Sequence, residues 1–288
     1  MIGQYKVAVL LTCHNRRKKT IHCLKSLFEA ELPLNYLIDV YLTDDGSTDG
    51  TADSVKEMYS NVIIIQGNGN LFWAGGMRLA WTEARKQNYD GYLLLNDDTF
   101  LYPDALIQIR NTHNYSIGNY QQGGIYVGTT NDPITKEYTY GGHCLLNRIT
   151  GHSKKIEPKS ELIQSCDFAN ANILFVSKNV VETIGILSKR FTHVLADYDY
   201  TLNAGRKYFP VLVCSNYCGS CEDDHDKPWL SNKNKLSDRI KYLKSPKHLA
   251  YKEYLFFTKY HFPFSLPLIF FKLWLKTLLP AIWDKYKR

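Results

Sequence analysis

Short apolar runs alternate with longer amphipathic stretches through the first hundred residues. The apolar runs lie at 5–12, 37–43, 62–66 and 92–95, with helix-like stretches between them. Runs such as VAVLL and YLLL are apolar at every position, which is typical of parallel strands that helices cover on both faces. The pattern therefore predicts a doubly wound α/β unit.

The pattern changes after Gly123. The following segments are shorter, aromatic and punctuated by glycine, which indicates antiparallel strands or hairpins. We expect one α/β domain with mixed strands over residues 1–225 and a basic, helical extension over residues 226–288.

The segment from His261 to Trp283 is rich in Phe, Leu, Ile and Trp, but lysines and prolines interrupt it. A helix that spans a bilayer needs roughly 20 nearly unbroken apolar residues, so this segment is unsuited to crossing. Lys272 and Lys276 share one helical face. The apolar residues gather toward another face: Leu268, Phe271, Leu275, Leu278 and Ile282. This arrangement predicts a helix that lies on a membrane surface, and a helix docked on the protein's own core is the alternative.

Composition narrows the class of protein further. The 288 residues are 44% hydrophobic and 22% charged, which excludes collagen-like, coiled-coil and wholly disordered proteins. The seven cysteines have no regular spacing and favour reduced thiols in a cytoplasm. The net charge of +7, with a basic region from Lys227 onward, favours anionic partners. No nucleic-acid-binding motif organises these charges, so we expect no nucleic-acid partner.

Polar residues follow three of the apolar runs. The first run ends in TCHNR at 12–16, the second in TDDGSTDGT at 43–51, and the fourth in NDD at 96–98. Ligands of open α/β sheets bind outside the carboxyl ends of the strands, so we expect these groups to line one crevice. Asp44 and Asp45 suit a ribose or a base N–H. Ser47 or Asp49 could instead serve as a helix N-cap.

Two further features suggest a nucleotide ligand. Asp97 and Asp98 are adjacent carboxylates, which repel each other unless a divalent cation lies between them. A sugar nucleotide whose diphosphate binds Mg²⁺ or Mn²⁺ would satisfy this pair. The loop GNGNLFWAGG at 67–76 permits close backbone approach and precedes a helix whose start favours negative charge. This loop matches neither the Walker nor the dinucleotide fingerprint.

A cysteine-rich segment has two interpretations. Cys214, Cys218, Cys221 and His225 have the spacing C-x3-C-x2-C-x3-H, and thiolate and imidazole groups are good zinc ligands. Unrelated thiols that follow a strand are the other interpretation, because the usual two ligand pairs are missing.

In their order and spacing these motifs resemble the family 2 glycosyltransferases with the GT-A fold, especially bacterial rhamnosyltransferase-like members. The likeness includes LADYDY at 195–200 and spans about Val7 to Phe209. It implies a GT-A domain over residues 1–225, with a nucleotide-binding half to about residue 100, an acceptor half beyond it, and the C-terminal extension described above.

The resemblance also implies a role for each motif. The residues expected to bind the donor are Thr12, Asn15, Asp44, Asp45, Asn70, Trp73, Gly75, Gly76, Asn96 and Asp97. Asp98 is the expected ligand of Mg²⁺ or Mn²⁺, and His225 is a further candidate ligand. Asp197 is the expected catalytic base and Asp199 is expected on the acceptor side. Ala196 stands where the family pattern has Glu.

The implied reaction is inverting transfer of a sugar from a UDP- or dTDP-linked donor to a glycan or lipid-linked acceptor. We expect this activity in cell-surface polysaccharide synthesis, in the cytoplasm at the inner face of the membrane. A non-catalytic nucleotide-sugar or glycan-binding protein is one alternative. A sugar-phosphate nucleotidyltransferase is another, although 12–19 lacks the glycine-rich loop of that class. By themselves, Asp197 and Asp199 would fit the solvated first turn of a helix.

Overall fold

The computed structural model describes residues 4–223 and 234–280. Its first part alternates strands and helices: β1 Tyr5–Cys13, α1 Arg17–Glu29, β2 Tyr36–Asp44, α2 Thr51–Met58, β3 Ile63–Gln66, α3 Phe72–Ala84 and β4 Gly91–Leu95. Strand β1 pairs in parallel with β2 and β4, and β2 pairs in parallel with β3. The predicted parallel unit is therefore confirmed.

The elements that follow enlarge this sheet and add a second one. They are β5 Phe100–Leu101, α4 Ala105–Tyr120, β6 Ile125–Asn131, β7 Gly142–Asn147, β8 His152–Lys155, β9 Gln164–Ser165, β10 Phe168–Ala169, β11 Ile173–Ser177, α5 Lys178–Ile184, α6 Ala196–Arg206 and β12 Val211–Ser220. The main sheet has the order β3-β2-β1-β4-β11-β6-β12-β5, with β9 paired to β12. Strand β11 is antiparallel to both β4 and β6.

The later strands do not all pair as the sequence pattern predicts. Strands β7, β8 and β10 form a separate antiparallel sheet, as expected after Gly123. In contrast, β12 pairs in parallel with β6 in the main sheet. This pairing is between strands far apart in the chain, which local patterning does not specify.

Strand β1 shows why residues 7–11 are apolar at every position. Ala8 and Leu10 pack into the core that α3 and α6 cover, whereas Val7, Val9 and Leu11 pack into the core on the side of α1 and α4. All five side chains are buried. A strand with two buried faces has no position for an exposed polar residue.

The C-terminal extension consists of α7 Leu236–Lys244, α8 Tyr251–His261, a 3₁₀ turn Pro263–Ser265 and α9 Leu266–Leu278. Helix α8 is joined to the main domain by polar contacts. Glu253 accepts hydrogen bonds from the N–H and hydroxyl groups of Thr192, at 3.0 and 2.6 Å. None of the helices in residues 4–223 and 234–280 combines the length and apolar character that a bilayer span requires.

Candidate active site

Asp45, which follows β2, organises the glycine-rich loop. Its carboxylate accepts hydrogen bonds from the N–H groups of Gly69 (2.8 Å), Leu71 (2.9 Å) and Phe72 (3.1 Å). The side chain is buried, and these bonds compensate its loss of hydration. Asp45 thus shapes the loop that leads into α3, and its contact with a donor stays a prediction.

Asn15 and Asp44 hold two strand-end turns together. Asn15 has a positive φ of 53°, and its Oδ1 accepts the N–H of Thr48 at 2.7 Å. Its own N–H donates to Ser47 Oγ at 2.9 Å. The N–H of Ser47 donates to Asp44 Oδ1 at 2.8 Å. Hydrogen bonds therefore connect the turns that follow β1 and β2.

Asp49 supports the starts of two helices, although Gly50 and not Asp49 is the N-cap residue of α2. Its carboxylate accepts the N–H of Arg17 at the start of α1 (2.9 Å) and the N–H of Thr51 at the start of α2 (3.1 Å). Both N–H groups lack partners within their own helices. One side chain thereby supports two helix starts.

Gly75 and Gly76 lie inside α3 and are buried. A Cβ atom on Gly76 would lie 2.0 Å from Thr12 Oγ1. The lack of a side chain at Gly76 therefore allows α3 to approach β1 closely at Thr12. Asn70 is exposed, and its N–H donates to Asn68 Oδ1 at 3.0 Å. The structure thus shows a packing role for both Thr12 and Gly76, and their contact with a donor stays a prediction.

Trp73 joins the start of α3 to the end of β4. Its Nε1 donates to Asn96 Oδ1 at 2.7 Å, and its backbone N–H donates to His193 Nδ1 at 3.3 Å. The N–H of Asn96 donates to the carbonyl oxygen of Asn172 at 3.0 Å. Because β4 and β11 are antiparallel neighbours, the end of β4 and the start of β11 meet at this edge.

Asp97 and Asp98 lie at the same edge. Asp97 is 6% exposed and accepts hydrogen bonds from Thr20 Oγ1 (3.2 Å) and Arg16 Nη1 (3.3 Å). Arg16 Nη1 also forms an ion pair with Asp98 Oδ2. Burial and the neighbouring charge of Asp98 raise the pKa of Asp97 to about 7, against the lowering effect of Arg16.

The adjacent carboxylates suit a divalent cation. Magnesium sites commonly combine one or two carboxylates with substrate phosphates and water, and Asp97 and Asp98 supply such oxygen atoms. Within the described ranges, no group of three or more His, Cys, Asp or Glu residues is placed to hold a metal. His225, the further candidate ligand, lies outside the described residues.

The described cysteines give the zinc alternative no support. Cys214 and Cys218 are buried in the core, and Cys214 Sγ accepts the hydroxyl proton of Thr112 at 3.3 Å. Cys221 Sγ lies 3.9 Å from Asp98 Oδ1. Two of the thiols thus serve as small apolar side chains of β12.

Asp197 is the second residue of α6. Leu195, directly before the helix, has a positive φ of 66°. The Asp197 carboxylate accepts the N–H of Ala171 at 3.2 Å and the N–H of Tyr198 at 2.9 Å. Burial raises its pKa to about 6. Ala171 precedes Asn172, whose carbonyl oxygen accepts the N–H of Asn96, so backbone contacts link Asp197 to the segment opposite the end of β4. The role of Asp197 as base stays a prediction.

Asp199 bonds to a histidine of the C-terminal extension. It is buried, and His261 Nε2 bonds to its Oδ1 at 2.8 Å. Residues two apart on a helix point about 200° apart around the axis. Consequently Asp199 contacts α8, whereas Asp197 points to another side of α6 and bonds to Ala171. The expected acceptor-side role of Asp199 stays a prediction.

Two residues at the crevice had no role assigned from sequence. Arg16 belongs to the first strand-end motif, but its pairing with Asp97 and Asp98 spans more than 80 positions. His193 contacts Trp73 and packs against the ring of Phe72. Burial, reinforced by nearby cationic groups, lowers its pKa to about 4, so it is neutral near pH 7. No sequence spacing pointed to His193.

A cavity of about 330 Å³ lies at the other end of α6. Its lining includes Leu202, Arg206 and Phe262, and it includes neither Asp98 nor Asp197. The carboxylate edge is therefore separate from this cavity.

Comparison with known proteins identifies the family of the region that contains these strand ends. The family model described as glycosyl transferase family 2 matches residues 8–168, more than half of the chain. The chain belongs to glycosyl transferase family 2. The matched region contains Asp45, Asp97 and Asp98 and ends before Asp197.

Individual relatives and solved structures share low sequence identity with this chain. A hyaluronan synthase of Streptococcus pyogenes is 29% identical over 120 residues, which are 38% of this chain and 27% of the synthase. Residues 1–349 of S. aureus TarS in complex with UDP-GlcNAc have a TM-score of 0.56 and 13% identity, covering 95% of this chain and 79% of that one. The mannosyltransferase PcManGT from Pyrobaculum calidifontis, in complex with GDP-Man and Mn²⁺, has a TM-score of 0.56 and 13% identity, covering 98% and 72%. The predicted GT-A fold is confirmed, and the chain matches about a quarter of the length of the synthase.

Proposed function

We propose that this protein is an inverting glycosyltransferase of cell-surface polysaccharide synthesis. It takes a UDP- or dTDP-linked sugar and transfers it to a glycan or lipid-linked acceptor. The observation that carries the proposal is the buried, adjacent carboxylate pair of Asp97 and Asp98 at the end of β4, which the cationic Arg16 contacts. Asp197 is linked to the neighbouring start of β11 by the N–H of Ala171, which supports its proposed role. Membership of the glycosyl transferase family supports it.

On the donor side, Asp97 and Asp98 are the residues that would hold Mg²⁺ or Mn²⁺. A bound cation would stabilise the negative charge that develops on the departing nucleoside diphosphate. The walls built around Asp45 and Trp73 are rigid through their hydrogen bonds. Rigid walls orient a donor before the reaction, which lowers the entropic cost of reaching the transition state.

On the acceptor side, Asp197 is the proposed general base. It takes the proton of the acceptor hydroxyl as that oxygen attacks the anomeric carbon from the face opposite the leaving diphosphate, so one displacement inverts the configuration. With its pKa raised to about 6, Asp197 is ionised at neutral pH and is a stronger base than an ordinary carboxylate. The N–H groups of Ala171 and Tyr198 orient this carboxylate although Ala196 replaces the family's Glu.

A thermal-shift panel tests the donor assignment. UDP-, dTDP- and GDP-linked sugars are added with and without Mn²⁺ to the wild type, to Asp98→Asn and to Asp53→Asn, which removes an exposed carboxylate of α2. A ligand at about 100 times its Kd stabilises the folded state by about 2.7 kcal/mol. We expect a Mn²⁺-dependent rise in Tm that Asp98→Asn abolishes and Asp53→Asn retains. The absence of a shift with every nucleotide would refute the proposal.

We also propose that the protein binds the inner face of the membrane peripherally through α9. The helix docks on the protein by one side, where Leu273 and Thr277 are buried. Its other side exposes an apolar stripe at helical spacing, which begins in the 3₁₀ turn: Phe264, Leu268, Phe271, Leu275 and Leu278. Phe264 is 80% exposed and Phe271 is 74% exposed. The docked face of α9 fits the interpretation of a helix packed on the protein's own core. The exposed apolar face supports the proposed contact with a membrane surface.

Charge supports an anionic bilayer as the partner of this stripe. Residues 234–288 contain twelve Lys and Arg against three Asp and Glu, whereas residues 1–233 contain 23 against 25. Basic residues near an anionic bilayer contribute about 1 kcal/mol each, and apolar side chains add area buried in the headgroup region. Ile282, which the sequence pattern adds to this face, lies outside the described residues.

Sedimentation with vesicles tests the membrane proposal. The double variant Leu268→Ser/Phe271→Ser should bind vesicles containing phosphatidylglycerol several-fold more weakly than the wild type, at unchanged Tm. The matched control, Leu34→Ser/Ile134→Ser, removes two side chains that are 88% and 86% exposed elsewhere and should sediment as the wild type does. Equal sedimentation of all three proteins would contradict the proposal.

A further inference from the structure

One cation already lies between the two adjacent carboxylates of the crevice. Arg16 Nη1 is 3.3 Å from Asp97 Oδ1 and is paired with Asp98 Oδ2. We infer that Arg16 is a built-in counter-ion that competes with a divalent cation for these oxygen atoms. This inference deepens the proposed function and rests on the proposed metal-binding role of Asp97 and Asp98.

A positive charge stabilises the ionised carboxylate pair in the folded protein. Asp97 is 6% exposed and the side chain of Asp98 is 13% exposed. Two neighbouring carboxylates with so little water around them repel each other strongly. The hydroxyl of Thr20 donates to Asp97, but a neutral donor does not cancel a charge. Arg16 therefore keeps the pair together before a metal ion arrives.

The position of Arg16 allows its head group to leave without a change in the fold. Its backbone is held by the N–H of Thr20, which donates to the carbonyl oxygen of Arg16 at 2.9 Å. The preceding Asn15 is fixed by Ser47 and Thr48. The side chain of Arg16 is 42% exposed, so its guanidinium can turn toward water by rotation about its own bonds.

Competition follows from shared oxygen atoms and like charge. A divalent cation bound by Asp98 Oδ2 cannot share that oxygen with the guanidinium at close range, because the two positive charges repel each other. The metal alone must displace Arg16, whereas a nucleoside diphosphate brings negative charge that offsets both cations. Arg16 thus favours joint binding of metal and nucleotide over binding of the metal alone.

Mn²⁺ binding without nucleotide tests this inference. Free Mn²⁺ is measured by electron paramagnetic resonance during titration of the wild type, Arg16→Gln and Arg17→Gln. Arg17→Gln removes the same charge one position along the chain, where the residue's backbone N–H bonds to Asp49. We expect Arg16→Gln to lower the Kd for Mn²⁺ by about tenfold, the effect of one like charge at short range in a partly exposed site. Arg17→Gln should change the Kd by less than about twofold, because solvent screens more distant charges.

Thermal unfolding without nucleotide provides the second readout. In metal-free buffer, Arg16→Gln should lower Tm by several degrees, because Asp97 and Asp98 lose their counter-ion. Saturating Mn²⁺ should restore most of the loss. A purely structural role of Arg16 would lower Tm without increasing the affinity for Mn²⁺. Should Arg16→Gln fail to fold without metal, Mn²⁺ is expected to rescue its folding, and failure of that rescue would contradict the inference.

The outcomes separate this inference from the proposed function. Equal Mn²⁺ affinity of the wild type and Arg16→Gln overturns the competition and leaves the proposed transfer reaction intact. A lower Kd in Arg17→Gln than in Arg16→Gln also overturns it. Mn²⁺ binding by neither protein, with or without UDP, overturns both proposals.

Discussion

Replacing Asp197 by Asn removes the proposed base and one of the two hydrogen-bond acceptors of this side chain. The substitution keeps the size of the side chain, but an amide has one oxygen where the carboxylate has two. That oxygen can accept the N–H of Ala171 or the N–H of Tyr198, and the other N–H then faces the amide nitrogen. An unpaired buried N–H costs about 1–3 kcal/mol of stability. A positioned general base contributes about 100- to 10,000-fold to the rate, so transfer should fall by that factor.

The assay separates chemistry from folding and donor binding. Release of nucleoside diphosphate from the donor sugar is followed with Mn²⁺, and donor binding is followed by thermal shift. Asp197→Asn should bind the donor and lose turnover. The matched control, Asp199→Asn, makes the same change at a side chain bonded to His261, and it should retain turnover per folded molecule. Turnover of Asp197→Asn within about twofold of the wild type, far below the contribution of a base, would refute the assignment.

Three further predictions concern pH and packing. Turnover at saturating donor and Mn²⁺ should rise with pH through about 6, because only the carboxylate form of Asp197 accepts a proton, and a flat profile would exclude this base. The pKa of Asp97 in the folded protein, about 7, exceeds its unfolded value. Protonation of Asp97 therefore stabilises the folded protein at low pH. This stabilisation is lost as pH rises through about 7. In metal-free buffer, the Tm values of the wild type and Asp97→Asn should therefore approach each other as the pH falls. Gly76→Ala should cost about 1–3 kcal/mol in urea unfolding, because its methyl group meets Thr12. Gly118→Ala, with open space around it in α4, should instead stabilise the protein by about 0.5–1 kcal/mol.

Much of the crevice was predictable because its parts are local in sequence. The apolar runs before 12–16, 43–51 and 96–98 are strands whose carboxyl ends meet at one edge of a parallel sheet. The adjacent pair Asp97 and Asp98 indicated a need for positive charge without any knowledge of tertiary contacts. These conclusions depend on short-range patterning and on the general topology of α/β sheets.

Other assignments depended on where individual side chains point. From the sequence, Gly76 is predicted to belong to a ligand-binding loop. In the structure, Gly76 packs against Thr12 and allows the close approach of α3 to β1. In the same way, the hydrophobic periodicity of α9 shows that the helix has an apolar face, but only its docking through Leu273 shows that this face is exposed.

The sequence by itself determined the strand and helix pattern, the polar strand ends and the basic C-terminal region, because neighbouring residues encode these features. Only the tertiary structure decided that Arg16 pairs with Asp98 and that Asp199 turns toward His261. Those partners are 82 and 62 positions apart. Contacts at that separation depend on how the helices pack on the sheet, and no local pattern of residues specifies that packing.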